Sequence, residues 1–94
     1  MEVKTLKLVT GEEVIARVLK EGDCWKLDNP VVAIQTPQGM GLMQYCTTSS
    51  DTEMTLHSEH IMLMLDTRKE LADQYLQNVT GLSIAGLNTS GLKL

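Results

Sequence analysis

Ninety-four residues, 43% of them apolar and 21% charged, make one folded domain with a single modest core and no room for a second. A net charge of -4 excludes a global basic field for nucleic acid, and no apolar run approaches the ~20 residues of a membrane-spanning helix. Five of the eight basic residues precede Pro30 and none lies between Val31 and Asp66, so any phosphate contact draws on the N-terminal third or on a histidine.

The opening Met-Glu-Val-Lys has no basic stretch leading into an apolar one. The expectation is a cytoplasmic protein without an export signal, with Cys24 and Cys46 as reduced, packed thiols. Residues 3–9 alternate around Leu6-Lys7-Leu8 and predict a first strand, closed by the turn Thr10-Gly11-Glu12-Glu13. Val14 to Lys20 predicts a second strand, apolar on both faces as in a strongly bent strand. Glu21-Gly22-Asp23 turns the chain. Cys24 to Asp28 resumes the strand period until Asn29-Pro30, where a proline that cannot donate to a ladder predicts a bulge or a strand edge.

Extended structure continues from Val31 to Gln35. Thr36-Pro37-Gln38-Gly39 is a turn, and Met40 to Tyr45 returns as the hairpin partner. The small polar segment Cys46 to Thr52 reads as an exposed loop, after which Met54 to His57 resumes the same strand. Ser58-Glu59 turns, and Ile61-Met62-Leu63-Met64-Leu65 forms the last strand.

That run carries the most weight. A strand with one covered face alternates, so five consecutive apolar residues imply cover on both. Each large aliphatic side chain contributes roughly 1.5–3 kcal/mol on burial. Half of the run left in water would forfeit on the order of 4–8 kcal/mol, comparable with the stability of a small domain. The simplest cover is a second copy, so Ile61, Met62, Leu63, Met64 and Leu65 are the expected oligomer interface.

Thr67-Arg68-Lys69-Glu70 has the form of a capping box, and a helix is expected from about Arg68 to Asn78. Leu71, Ala72, Tyr75, Leu76 and Val79 fall on one stripe of it, and Gly81 is the expected stop. The domain then divides into a barrel at 1–66, a helix at 67–80 packed on it and a tail at 81–94. With only Trp25, Tyr45 and Tyr75 as aromatics, the core must be aliphatic and adaptable through its methionines.

Two stretches carry a resemblance. Leu8-x-x-Gly11-x-x-Val14-x-Ala16-x-Val18 resembles the first signature of the Sm-like (LSm) family, with Ala16 where the family has its second glycine. Leu56-His57-Ser58-Glu59-His60-Ile61 resembles the second, Ile-Arg-Gly-x-x-Ile, with His57 at the arginine and Ser58 at the glycine. The Gly-Glu-Glu-Val-Ile opening and the later Asn-Pro are also similar to uncharacterised Sm-like proteins of phage and marine metagenomic origin. The resemblance covers residues 3 to 65. It implies a mainly β fold, a small bent five-stranded antiparallel barrel of Sm-like (SH3) type, here with a C-terminal helix, and a homo-oligomeric ring closed by strand pairing. It also implies single-stranded RNA binding near the pore. Trp25 and Lys26 fall at the family's stacking and base-reading positions, and His57 and Ser58 on its second signature. Trp25 suits unstacked bases. Lys26 reaches phosphate but lacks an amide's donor–acceptor pair, and His57 replaces a permanent charge. Weak, salt-sensitive binding is therefore expected, in place of base-specific recognition, and an adaptor ring without RNA is the alternative.

Other chemistry is thinly represented. Cys24, Cys46, His57 and His60 lack the close pair spacing of structural zinc sites, and no nucleophile elbow or Gly-rich phosphate loop occurs. The expectation is a non-catalytic protein with no metal, no cofactor and no membrane partner. Glu12-Glu13 reads as a solvated turn, and Trp25 competes between a stacking platform and a buried core residue.

Overall fold

The computed structural model describes residues 2–85. Strands β1 (Glu2–Leu8), β2 (Glu13–Glu21), β3 (Cys24–Thr36), β4 (Gly39–Gln44), β5 (Glu53–His57) and β6 (Ile61–Asp66) precede one helix, α1 (Lys69–Ala85). A single 3₁₀ turn over Ser58–His60 joins β5 to β6. The protein is thus mainly β, one antiparallel sheet with a C-terminal helix. The order along the sheet is β4-β3-β2-β1-β6, and β5 pairs with β3 on the edge that β4 also uses.

Two features differ from the sequence expectation. There are six strands instead of five, because 45–52 leaves the ladder as a loop and splits the partner of β3 into β4 and β5. The sheet is also not closed: β6 pairs only with β1, and β4 and β5 pair only with β3. Both edges therefore carry unpaired backbone groups.

The interruption at Asn29-Pro30 is a bulge inside one continuous strand. Ile15 faces Val31 and Arg17 faces Asp28, so β3 has one residue more than β2 across this step. Asn29 takes it up with φ at 51°, a left-handed conformation that asparagine tolerates better than most residues. A second bulge falls in β6. Lys7 faces Leu63 while Leu8 faces Ile61, which leaves Met62 as the extra residue.

The core follows the alternation. Leu6, Leu8, Val14, Ala16, Val18 and Leu27 are buried, with Trp25, Val32, Tyr45, Met54, Leu56, Ile61 and Met64 packed against them. The bulge at Met62 puts Ile61 and Met64 on this inner side. Met62, Leu63 and Leu65 remain 56%, 49% and 53% exposed, so three of the five apolar residues of the run are left without cover in a single chain.

Part of the second face is covered by α1. Ile15 points away from the inner core yet is only 4% exposed, and Tyr75 on α1 is fully buried. The helix does not begin as a capping box: it starts at Lys69, and the Thr67 hydroxyl lies 3.0 Å from that of Thr5 instead. Nor does it stop at Gly81. An interior glycine costs only about 1 kcal/mol, and the backbone stays helical to Ala85. The first five positions of the expected tail are therefore helix, and residues 86–94 lie outside the described residues. No helix among the described residues is long and apolar enough to cross a membrane.

Candidate nucleic-acid interface

Glu21-Gly22-Asp23-Cys24 is a tight hairpin, and Gly22 takes a φ of 61°, which a side chain would oppose. This two-residue loop sets the register on both sides. Glu21 faces Cys24, Lys20 faces Trp25 and Leu19 faces Lys26. On the other edge of β3, Cys24 faces His57, Trp25 faces Leu56 and Lys26 faces Thr55.

The two loops named by the resemblance meet. Ser58 donates from both its backbone N and its Oγ to the carbonyl oxygen of Asp23, each at 2.9 Å. A glycine at this position would make only the first of those bonds.

Alternation divides the four expected site residues. Facing pairs share a face, and successive residues of a strand point to opposite ones. Trp25 therefore lies with Leu56 and Leu27 on the inner side, packed against the core, where the Lys20 ammonium stands 5.1 Å from its ring centre. Lys26 and His57 lie on the outer side with Cys24. Trp25 and Lys26 are neighbours in sequence but do not converge on one ligand surface. The loop contact brings Ser58 and His57 to the mouth of the hairpin, beside Cys24.

Local charge is mixed. Lys26 pairs with Glu21 at 3.7 Å, and the His60 ring approaches the Glu59 carboxylate at 4.0 Å. The His57 and His60 rings sit edge to face with centres 6.3 Å apart. Lys20 and Lys26 are thus set against Glu21, Asp23, Glu53 and Glu59, a surface that attracts phosphate weakly at best. Such exposed pairs are worth little in water and are screened further by salt.

Lys20 was not anticipated as part of the site, although the signal was present. A two-residue turn at Gly22-Asp23 necessarily places positions 20 and 25 opposite each other. The role of Asp23 had no local signal, since its carbonyl is engaged from 35 residues away. Of the two free thiols, Cys24 is half-buried beside His57 and Cys46 is exposed in the loop after β4. No group of three or more histidine, cysteine or acidic side chains among the described residues is placed to hold a metal ion.

No protein-family model matches this chain, and no curated protein matches it.

Proposed function

We propose that this chain is a subunit of a non-catalytic, homo-oligomeric ring of Sm-like type that holds single-stranded RNA weakly near its pore and influences RNA metabolism. The observation that carries the reading is the contact of Ser58 with Asp23. It joins the hairpin before Trp25 and Lys26 to the turn after His57, the same two loops that the resemblance assigns to RNA.

The sheet supports the assembly. β6 at one end of the sheet and β4 with β5 at the other each have an outer edge without a partner strand, and β6 exposes Met62, Leu63 and Leu65. Pairing one edge with the opposite edge of the next copy is a head-to-tail contact, which closes into a ring when the rotation allows. Covering the exposed half of those three side chains is worth roughly 2–5 kcal/mol per subunit. In this reading β4 and β5, which both pair with β3, together take the place of one strand of an Sm-like subunit.

Titration of short U-rich and A-rich RNAs at low salt tests the RNA reading. Saturable binding below ~100 μM, weakening steeply with salt, is the expected result. Absence of binding on a particle of ring mass would instead favour the adaptor ring, a second reading supported by the acidic residues that outnumber Lys20 and Lys26 around the two loops.

A further inference from the structure

Trp25 and Lys26 point to opposite faces, yet Trp25 does share its face with a lysine. The turn at Gly22-Asp23 sets Lys20 directly across the ladder from it, and the Lys20 ammonium stands over the ring, 5.1 Å from its centre. Lys20 is exposed and Trp25 is half-buried against the core, so the contact lies at the surface end of the inner side. Lys20 has no carboxylate partner among the described residues.

The two faces of the hairpin differ in charge. Register puts Glu21, Asp28 and Glu53 on the outer side with Lys26, where Glu21 pairs with that lysine at 3.7 Å. On the Trp25 side the flanking strand residues are Val18, Leu27, Met54 and Leu56. Among strand positions, the nearest carboxylate on this side is Glu2, opposite Val18, and it pairs with Lys4 at 3.2 Å. Asp23 and Glu59 sit in the adjoining turns, Glu59 within 4.0 Å of His60. An aromatic face and a cation without a carboxylate partner thus stand together, with aliphatic residues around them.

We propose that Lys20 and Trp25 form a nucleotide subsite: a base stacks on the Trp25 ring where the Lys20 ammonium now stands, and the ammonium takes the phosphate of the same nucleotide. The inference rests on the RNA reading and names Lys20 as the residue that completes it. Magnitudes favour the exchange. An exposed cation–π contact is worth about two- to fivefold in an equilibrium, and a base stacked on an aromatic ring about five- to 150-fold. The displaced lysine keeps a partner, because a compact ammonium on a flexible stem reaches a phosphate beside the ring. Stacking accepts any base, so the subsite suits weak binding without base choice. Lys26, on the outer face, is then a separate phosphate contact.

Trp25 is the only tryptophan, so its emission reports on the ring directly. The test titrates the full chain with a short oligouridylate, read by Trp25 emission and by filter retention together. Emission should change in step with retention. Lys20→Met keeps the length of the stem and removes the charge. It should leave the urea midpoint in place and make the slope of log affinity against log salt less steep by about 0.7, so that the parent's advantage shrinks about fivefold over a tenfold rise in salt. Lys20→Arg should restore the parental slope, and Lys26→Ala should keep the full emission change at saturation. A strand retained on the filter with Trp25 emission unchanged, or a Lys20→Met variant with the parental slope, overturns this inference and leaves the RNA reading standing. No retention at all overturns both.

Discussion

The Tyr75 hydroxyl on α1 donates to the Asp28 carbonyl at 2.5 Å and accepts from the Arg17 backbone N–H at 3.1 Å. Arg17 and Asp28 are facing residues of β2 and β3, immediately before the extra residue at Asn29. A bulge disrupts a ladder locally and leaves backbone groups in need of partners. The tyrosine supplies one acceptor and one donor at that point, and the Arg17–Asp28 ion pair closes over the same step. One side chain therefore anchors the helix and repairs the sheet.

Tyr75→Phe keeps the ring and removes both bonds. A buried polar group left unpaired costs about 1–3 kcal/mol, so the variant should lose stability in that range. Urea unfolding followed by circular dichroism is the check. A loss under about 0.5 kcal/mol would mean that the bulge is satisfied by water instead.

Leu63→Lys should leave the fold intact, because Leu63 is 49% exposed in the single chain and points away from the core. It should lower the particle mass toward the 10.4 kDa of one subunit, since a lysine in a dry strand contact has no partner. Size exclusion with light scattering reads the outcome. A parent protein that is itself a folded monomer, or a variant of unchanged mass, removes β6 from the interface.

Lys26→Ala should weaken RNA binding equally for U-rich and A-rich strands. The slope of log affinity against log salt should become less steep by about one. Trp25→Ala is a poorer probe, because the ring packs against the core and its truncation also destabilises the fold. A Lys26 variant with the parental salt slope would place the phosphate contact elsewhere.

Two exposed carboxylates should make the fold modestly less stable in acid. Asp66 is held below its ordinary 3.8, first by the hydrogen bond from Lys4 at 2.5 Å and then by its charge. Glu12 is held below 4.5, first by the Thr10 hydroxyl and then by that of Tyr45. A group with a depressed folded pKa contributes stability that is present above the unfolded value and lost as pH falls through the folded one. The urea midpoint should stay level from neutrality to about pH 5 and fall below it, less steeply in the double variant Asp66→Asn, Glu12→Gln. Tyr75 acts at the other end. Burial raises its pKa above 10.0, so its contribution is complete below that pH and fades as the pH rises beyond it.

Most strands were legible because their cause is local. The alternation of Leu6-Lys7-Leu8, the Gly22-Asp23 turn and the missing N–H of Pro30 each act within a few residues. Trp25 and Lys26, which the resemblance puts at one site, are divided by the same local rule, since adjacent strand residues point to opposite faces wherever the strand lies. Gly81 misled, because a helix stop is a preference of about 1 kcal/mol and not a steric bar. Thr67 misled in another way: Thr5, 62 residues earlier, offered its hydroxyl a different partner.

The sequence by itself determined most of the strands, an interruption at Asn29-Pro30 and an apolar last strand with more grease than one face can hide. Only the tertiary structure decided that this strand splits its side chains at Met62, that the sheet stays open at both edges, and that Tyr75 seals the bulge. The Met62 split depends on the pairing of β6 with β1 at the other end of the chain, and the seal on partners 47 and 58 residues from Tyr75. Turn and strand preferences are written in neighbouring residues, whereas the satisfaction of a buried donor or acceptor is known only once distant backbone has been brought beside it.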